Sequence, residues 1–136
     1  MLAILADLYT PLFFLQSFWL AHKNKQLRST SLFLLLSCAV VGGLSALDLW
    51  LQVWPTWGMD FSTHSAIIIP PLLVIAYYLH QQYWRVIYGL MALSYLGLMI
   101  QLQYHTLVDI ISTLLFVTPW VTLVACRLLY RRDGKK

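Results

Sequence analysis

Charge is scarce in this chain. Asp, Glu, Lys and Arg together make up 10% of the 136 residues, against 60% hydrophobic residues and a mean hydropathy of +0.73. That balance excludes an ordinary soluble fold. Glutamate is missing altogether, and the acids are Asp7, Asp48, Asp60, Asp109 and Asp133. Cysteine is limited to Cys38 and Cys126, each inside a separate apolar stretch. They read as small core residues and exclude a disulfide framework or a thiolate metal pair. The first apolar stretch has no basic segment before it; its basic residues follow, as in a retained span and not a secretory signal. No internal repeat, low-complexity segment or soluble domain breaks the pattern, so residues 1–136 form one transmembrane domain.

What is present is a series of apolar runs divided by short polar gaps. Lys23, Lys25 and Arg28 fill the first gap, Arg85 the third, and Arg127, Arg131, Arg132, Lys135 and Lys136 the end of the chain. The gaps between these hold no Lys or Arg. Retention of Lys and Arg on the cytoplasmic face then predicts an all-α integral membrane protein, a bundle of five transmembrane helices with its N-terminus out and its C-terminus cytoplasmic. The net charge of +4 and pI near 9.2 come from residues just beyond span ends. There they set topology and meet anionic lipid headgroups, so nucleic acid is not an expected partner.

The expected spans are about 2–21, interrupted by Asp7 and Pro11; 31–53; 65–79, kinked by Pro70 and Pro71; 86–103; and 106–129. Helices are required because backbone groups in lipid must be satisfied within their own segment. Gly42, Gly43, Ser45 and Ala46 would give the second span a small-residue packing face. Tyr77, Tyr78, Tyr83 and Trp84 would form an inner interfacial belt for the short third span.

Two outward gaps carry the histidines. His105 and Asp109, spaced i and i+4, would share one helix face, continued by Ser112. A carboxylate at that depth needs a partner, and the His105 imidazole is the expected one. Such a pair fixes the tautomer and raises the basicity of the outward nitrogen; it serves equally as a structural pair at a helix end. His64 lies in Asp60-Phe61-Ser62-Thr63-His64-Ser65, where the third helix begins. Ser62 or Ser65 would cap that helix, and the N–H groups of residues 63–65 would form an anion site. The plainer alternative is a polar interfacial cap.

Asp48 is expected near the same cavity, hydrogen-bonded to a substrate headgroup, to His64, or to a neighbouring helix. Trp50, Trp54 and Trp57 form either an aromatic belt or a cation–π cage for a quaternary ammonium headgroup.

Phe61-Ser62-Thr63-His64-Ser65 and His105-Thr106-Leu107-Val108-Asp109 resemble the two motifs of the type-2 phosphatidic acid phosphatase superfamily. The similarity is greatest to the sphingomyelin synthase-like branch, where they read Phe-Ser-Gly-His-Thr and His-Tyr-Thr-x-Asp. It covers about residues 54–125. The resemblance implies a lipid phosphatase or headgroup phosphotransferase working at the outer leaflet, facing periplasm, exterior or lumen. His105 would be the nucleophile that becomes phosphohistidine, Asp109 its orienting acid and His64 the general acid. Ser62, Thr63, Ser65, Asp48, Trp54, Trp57 and Gln101 would contact a phospholipid or polyprenyl-phosphate substrate. No metal or other cofactor is implied.

The chain departs from the pattern in three places. Met99 replaces an Arg six residues before the second His, Thr63 replaces Gly, and no Lys or Arg lies on the outer side. Stabilisation of the phosphoryl charge would then fall to backbone N–H groups, His64, Gln101, Gln103 or Ser62. The rival reading is a non-catalytic lipid-binding subunit with a degenerate site, its thin bundle favouring homo-oligomers. A proton-coupled carrier using Asp48, Asp109 and the histidines is a third, disfavoured by the lack of inverted halves.

Overall fold

The computed structural model describes residues 2–130; Arg131, Arg132, Asp133, Lys135 and Lys136, which entered the topology and acid counts, lie outside them. The described residues form helices and short connections. The helices are α1 (Leu2–Lys23), α2 (Leu27–Leu51), α3 (Val53–Thr56), α4 (Thr63–Ile67), α5 (Ile69–Tyr78), α6 (Gln82–Gln101) and α7 (Leu107–Leu128). Three of them, α2, α6 and α7, are long and apolar enough to cross a membrane. At 1.5 Å per residue, α2 alone extends about 37 Å. Large apolar side chains such as Leu35, Leu49 and Leu115 are about 70% exposed, a surface compatible with a membrane protein and unusual for a soluble one.

Several boundaries differ from the sequence expectation for identifiable reasons. Pro11 does not interrupt α1, which runs unbroken through Asp7 and Pro11 for 22 residues; one missing N–H is tolerated when neighbouring turns hold. Helix α2 begins at Leu27 instead of residue 31, so Arg28, Ser29 and Thr30 belong to its first turn. The expected third span divides into α4 and α5. Pro70 and Pro71 have no N–H to offer Ala66 and Ile67, and the ladder resumes when the Leu72 N–H reaches the Ile68 carbonyl at 3.2 Å.

Helix α5 is the hub, packed on α1, α2, α6 and α7. On one side Phe33 and Val41 of α2 meet Val74 of α5 and Val117 and Val121 of α7. On the other, Phe13 of α1, Ile75 of α5 and Tyr95 and Met99 of α6 form a second core. Polar ties reinforce both: Ser17 Oγ donates to the Pro71 carbonyl at 3.0 Å, and the Tyr9 and Ser94 hydroxyls bond at 3.0 Å. Among the described residues nothing packs against the glycines of α2. Gly42, Gly43 and Ala46 are exposed, and open space surrounds both glycines. Both cysteines are free; Cys38 is half-buried and Cys126 is exposed, not a core residue.

The contacts sort the polar residues to two ends of the bundle. Tyr78 bonds Thr30 at 2.9 Å and Tyr77 donates to the Leu129 carbonyl at 3.2 Å, joining the end of α5 to the start of α2 and the end of α7. This end carries Lys23, Lys25, Arg28, Arg85 and Arg127. His64, His105, Asp48, Asp60 and Asp109 lie at the other.

Candidate functional site

The site is assembled from three connections at the histidine end: α2 to α4, the start of α4, and α6 to α7. Helix α2 stops at Gln52, whose left-handed backbone (φ 54°) lets its N–H return to the Asp48 carbonyl at 2.7 Å. The buried Asp48 side chain accepts the Trp54 N–H at 2.9 Å and so starts α3. Asp48 therefore anchors backbone and does not reach His64. Trp54 is buried against Phe61 and Phe116, with ring centroids at 5.1 and 5.2 Å, and its indole N–H donates to Ser112 Oγ at 3.0 Å.

Trp50 and Trp57 are exposed while Trp54 is buried, so the three tryptophans do not close into a cage. Trp54 and Trp57 do line, with Asp48, Ser112, Leu115 and Phe116, an apolar groove of about 540 Å³. That volume falls within the usual range for small-molecule sites.

The α4 segment is held from beneath. Ser62 and Ser65 are fully buried. Ser62 Oγ accepts the Ser65 N–H, Ser65 Oγ donates to the Ser62 carbonyl at 2.9 Å, and the Ser62 N–H donates to Thr113 Oγ1 on α7 at 3.0 Å. The two serine hydroxyls are thus committed to this turn. Thr63 and His64 point outward and are exposed, as is Gln101 at the last turn of α6.

Helix α6 ends in a turn in which Gln103 adopts φ 57° and the Tyr104 N–H bonds the Met99 carbonyl at 3.0 Å. Met99 is completely buried in the second core. The following helix begins at Leu107 with Thr106 as its cap, so His105 lies before the helix and not on its face. Asp109 closes a capping box with Thr106: Oδ2 accepts the Thr106 N–H at 2.7 Å, and Thr106 Oγ1 accepts the Asp109 N–H at 3.3 Å. The other carboxylate oxygen, Oδ1, accepts the Asp60 N–H at 2.8 Å. Both Asp109 oxygens are thereby occupied by backbone donors, and none of the hydrogen bonds at Asp109 involves the His105 ring.

The carboxylate that stands beside His105 is Asp60, with Oδ2 3.7 Å from Nδ1. His105 Nδ1 is buried and makes no hydrogen bond among the described residues. His64 comes alongside: its ring centroid lies 6.0 Å from that of His105 and stacks at 6.2 Å on Tyr104. Burial pushes the His105 pKa below its ordinary value near 6.5, with the neighbouring His64 acting in the same direction and Asp60 and Asp109 opposing it. Burial and His64 together thus favour the neutral form of the His105 ring. In the sequence Asp60 stands beside the tryptophan rim as a candidate partner of a cationic headgroup, with no sign of its pairing with His105 or of the Tyr104 stack on His64. The Asp60 signal was its position four residues before His64.

No family model, curated protein or solved structure matches this chain.

Proposed function

We propose that this chain is a five-span membrane protein, N-terminus out and C-terminus cytoplasmic, that acts on phosphate-bearing lipid headgroups in the manner of the type-2 phosphatidic acid phosphatase superfamily. The observation that carries the reading is the convergence of His64 and His105, 41 residues apart in sequence, to a ring separation of 6.0 Å. In this reading the neutral His105, with Nδ1 turned to Asp60, attacks phosphorus through Nε2. The P–O bond to the leaving group breaks as His64, in its imidazolium form, protonates the departing oxygen. Water or a lipid alcohol then attacks the phosphohistidine, giving up its proton to His64 and releasing His105. Asp60 takes the orienting role that the resemblance gives to Asp109. Asp109 acts at one remove, by fixing the Asp60 backbone. The Asp48–Trp54–Trp57 groove supplies an apolar berth for a lipid tail.

A second reading, a non-catalytic lipid-binding subunit, is favoured by one specific observation. Every Lys and Arg of the described residues lies at the end opposite His64 and His105, and cationic stabilisation is ordinarily a dominant part of phosphoryl transfer. Phosphate release from a panel of lipid phosphates by purified protein, beside His105→Ala, separates the two. Turnover lost in the variant supports the enzyme. Equal lipid binding by both proteins with no turnover, and no transfer to added lipid alcohols, supports the subunit.

A further inference from the structure

A second cavity lies at the opposite end of the bundle, in a region with no part in the proposed chemistry. About 660 Å³ in volume, it is enclosed by the last turns of α1, the α5–α6 connection and the first turns of α6. Its walls are divided by character. Trp19, Trp84 and Tyr88 provide broad aromatic surfaces, while Gln16, Lys23 and His80 provide polar groups. Lys23 extends over Trp19 with Nζ 5.3 Å from the ring centroid, a cation–π contact that holds the ammonium at the cavity. Arg85 Nε donates to the Leu79 carbonyl, closing the end of α5 and fixing the wall that bears His80.

The charge at this cavity has one sign. Among the described residues no carboxylate pairs with Lys23, and Asp48, Asp60 and Asp109 lie at the far end of the bundle. A small inorganic anion is held by donors converging on one point, whereas here one ammonium, one imidazole and the two amides of Gln16 and Gln81 border a cavity otherwise walled by aromatic and leucine side chains. Tryptophan and tyrosine rings flanking a cation are the chemistry of the membrane–water interface, where one molecule presents a phosphate above and glycerol and acyl carbons below. We propose that this cavity binds the headgroup of an anionic phospholipid. The phosphate meets Lys23, His80 and Gln16, and the glycerol and upper acyl carbons lie along Trp19, Trp84 and Tyr88. The site is independent of the histidine end and of the reaction proposed there.

The test is lipid retention by purified, detergent-washed protein re-equilibrated with phosphatidylglycerol or phosphatidylcholine, read by native mass spectrometry. Lys23→Gln is compared with Lys25→Gln, an exposed neighbour of equal charge outside the cavity. The expected result is preferential retention of phosphatidylglycerol, weakened about fivefold by Lys23→Gln and unchanged by Lys25→Gln, the size ordinarily associated with one cation at a lipid surface. Equal retention of the two lipids would overturn the proposal, as would equal effects of the two substitutions. Displacement of phosphatidylglycerol by millimolar sn-glycerol 3-phosphate would overturn it too, assigning the cavity to a soluble phosphate. Trp84→Ala, which removes an aromatic wall and leaves the charge, is expected to weaken phosphatidylglycerol without restoring phosphatidylcholine; unaltered binding would contradict the proposed pose.

Discussion

Asp109 Oδ1 accepts the backbone N–H of Asp60 at 2.8 Å, so the loop that brings a carboxylate to His105 is fastened to the first turn of α7. The same Asp109 carboxylate caps that turn through Thr106. Helix capping and site assembly therefore depend on one side chain.

Asp109→Ala is expected to remove both functions. The Thr106 side chain can still accept the residue-109 N–H, but the Thr106 N–H loses the carboxylate, at about 1–3 kcal/mol, and the Asp60 N–H loses its acceptor as well. Thermal unfolding in mild detergent should show the drop, and the His105 NMR signals should shift as Asp60 moves away. Asp109→Asn retains one carbonyl oxygen and should fall between the two. An unchanged His105 environment in Asp109→Ala would show that Asp60 is held by other contacts.

Thr113 provides a second fastening. Its fully buried hydroxyl accepts the Ser62 N–H at 3.0 Å. Thr113→Val keeps the shape and leaves that buried donor unpaired, at an expected cost of about 1–3 kcal/mol. Thr113→Ser should restore most of the loss. Equal stability of the valine variant and the wild-type protein would mean that the Ser62 N–H finds another partner.

The depressed pKa of His105 sets a pH dependence of known sign. In the unfolded chain His105 takes its proton near pH 6.5; in the folded protein it does so at lower pH. Its contribution to stability is full above about pH 6.5, declines as pH falls from there towards the folded pKa, and changes no further below it. His105→Gln should flatten that part of the stability–pH curve. Asp60 pulls the His105 pKa upward, so Asp60→Asn should move the His105 titration to still lower pH, measured directly by NMR. A shift in the other direction would contradict the Asp60–His105 placement.

Much of this architecture can be read in the sequence because bilayer thickness and the inability of lipid to satisfy backbone groups dictate long apolar helices. Helices α2, α6 and α7 fall close to the expected stretches for that reason. The departures are local. An i, i+4 spacing places His105 and Asp109 on one face only if both are helical, and Thr106 caps the helix between them. Asp60 took its role through a fold-dependent contact with residues 45 or more positions away, which periodicity does not report. The glycines of α2 suggested close packing, but α2 is turned so that its buried face is Phe33, Ser37 and Val41. The motifs leave open whether His64 and His105 face each other, and they offer Ser62 as a helix cap without showing that it and Ser65 are fully buried.

Gln52 allows a test of the connections themselves. It holds a left-handed backbone at the end of α2, where glycine is the usual residue. Gln52→Gly relieves side-chain strain of about 1–2 kcal/mol, partly offset by the greater freedom of glycine in the unfolded chain. A gain of up to about 1 kcal/mol is expected, read as a raised unfolding temperature. Destabilisation would instead make the bond from the Gln52 side chain to the Leu49 carbonyl, 2.8 Å long, the dominant contribution.

The central claim is that His105 becomes phosphorylated, and rapid quenching of purified protein with a phosphorus-labelled lipid phosphate tests it most directly. A base-stable, acid-labile label is expected on the peptide containing His105. That label should be absent in His105→Ala and should accumulate in His64→Ala challenged with a substrate whose leaving group needs no proton. Turnover of the lipid with no label at His105, or an equal label in His105→Ala, would contradict it.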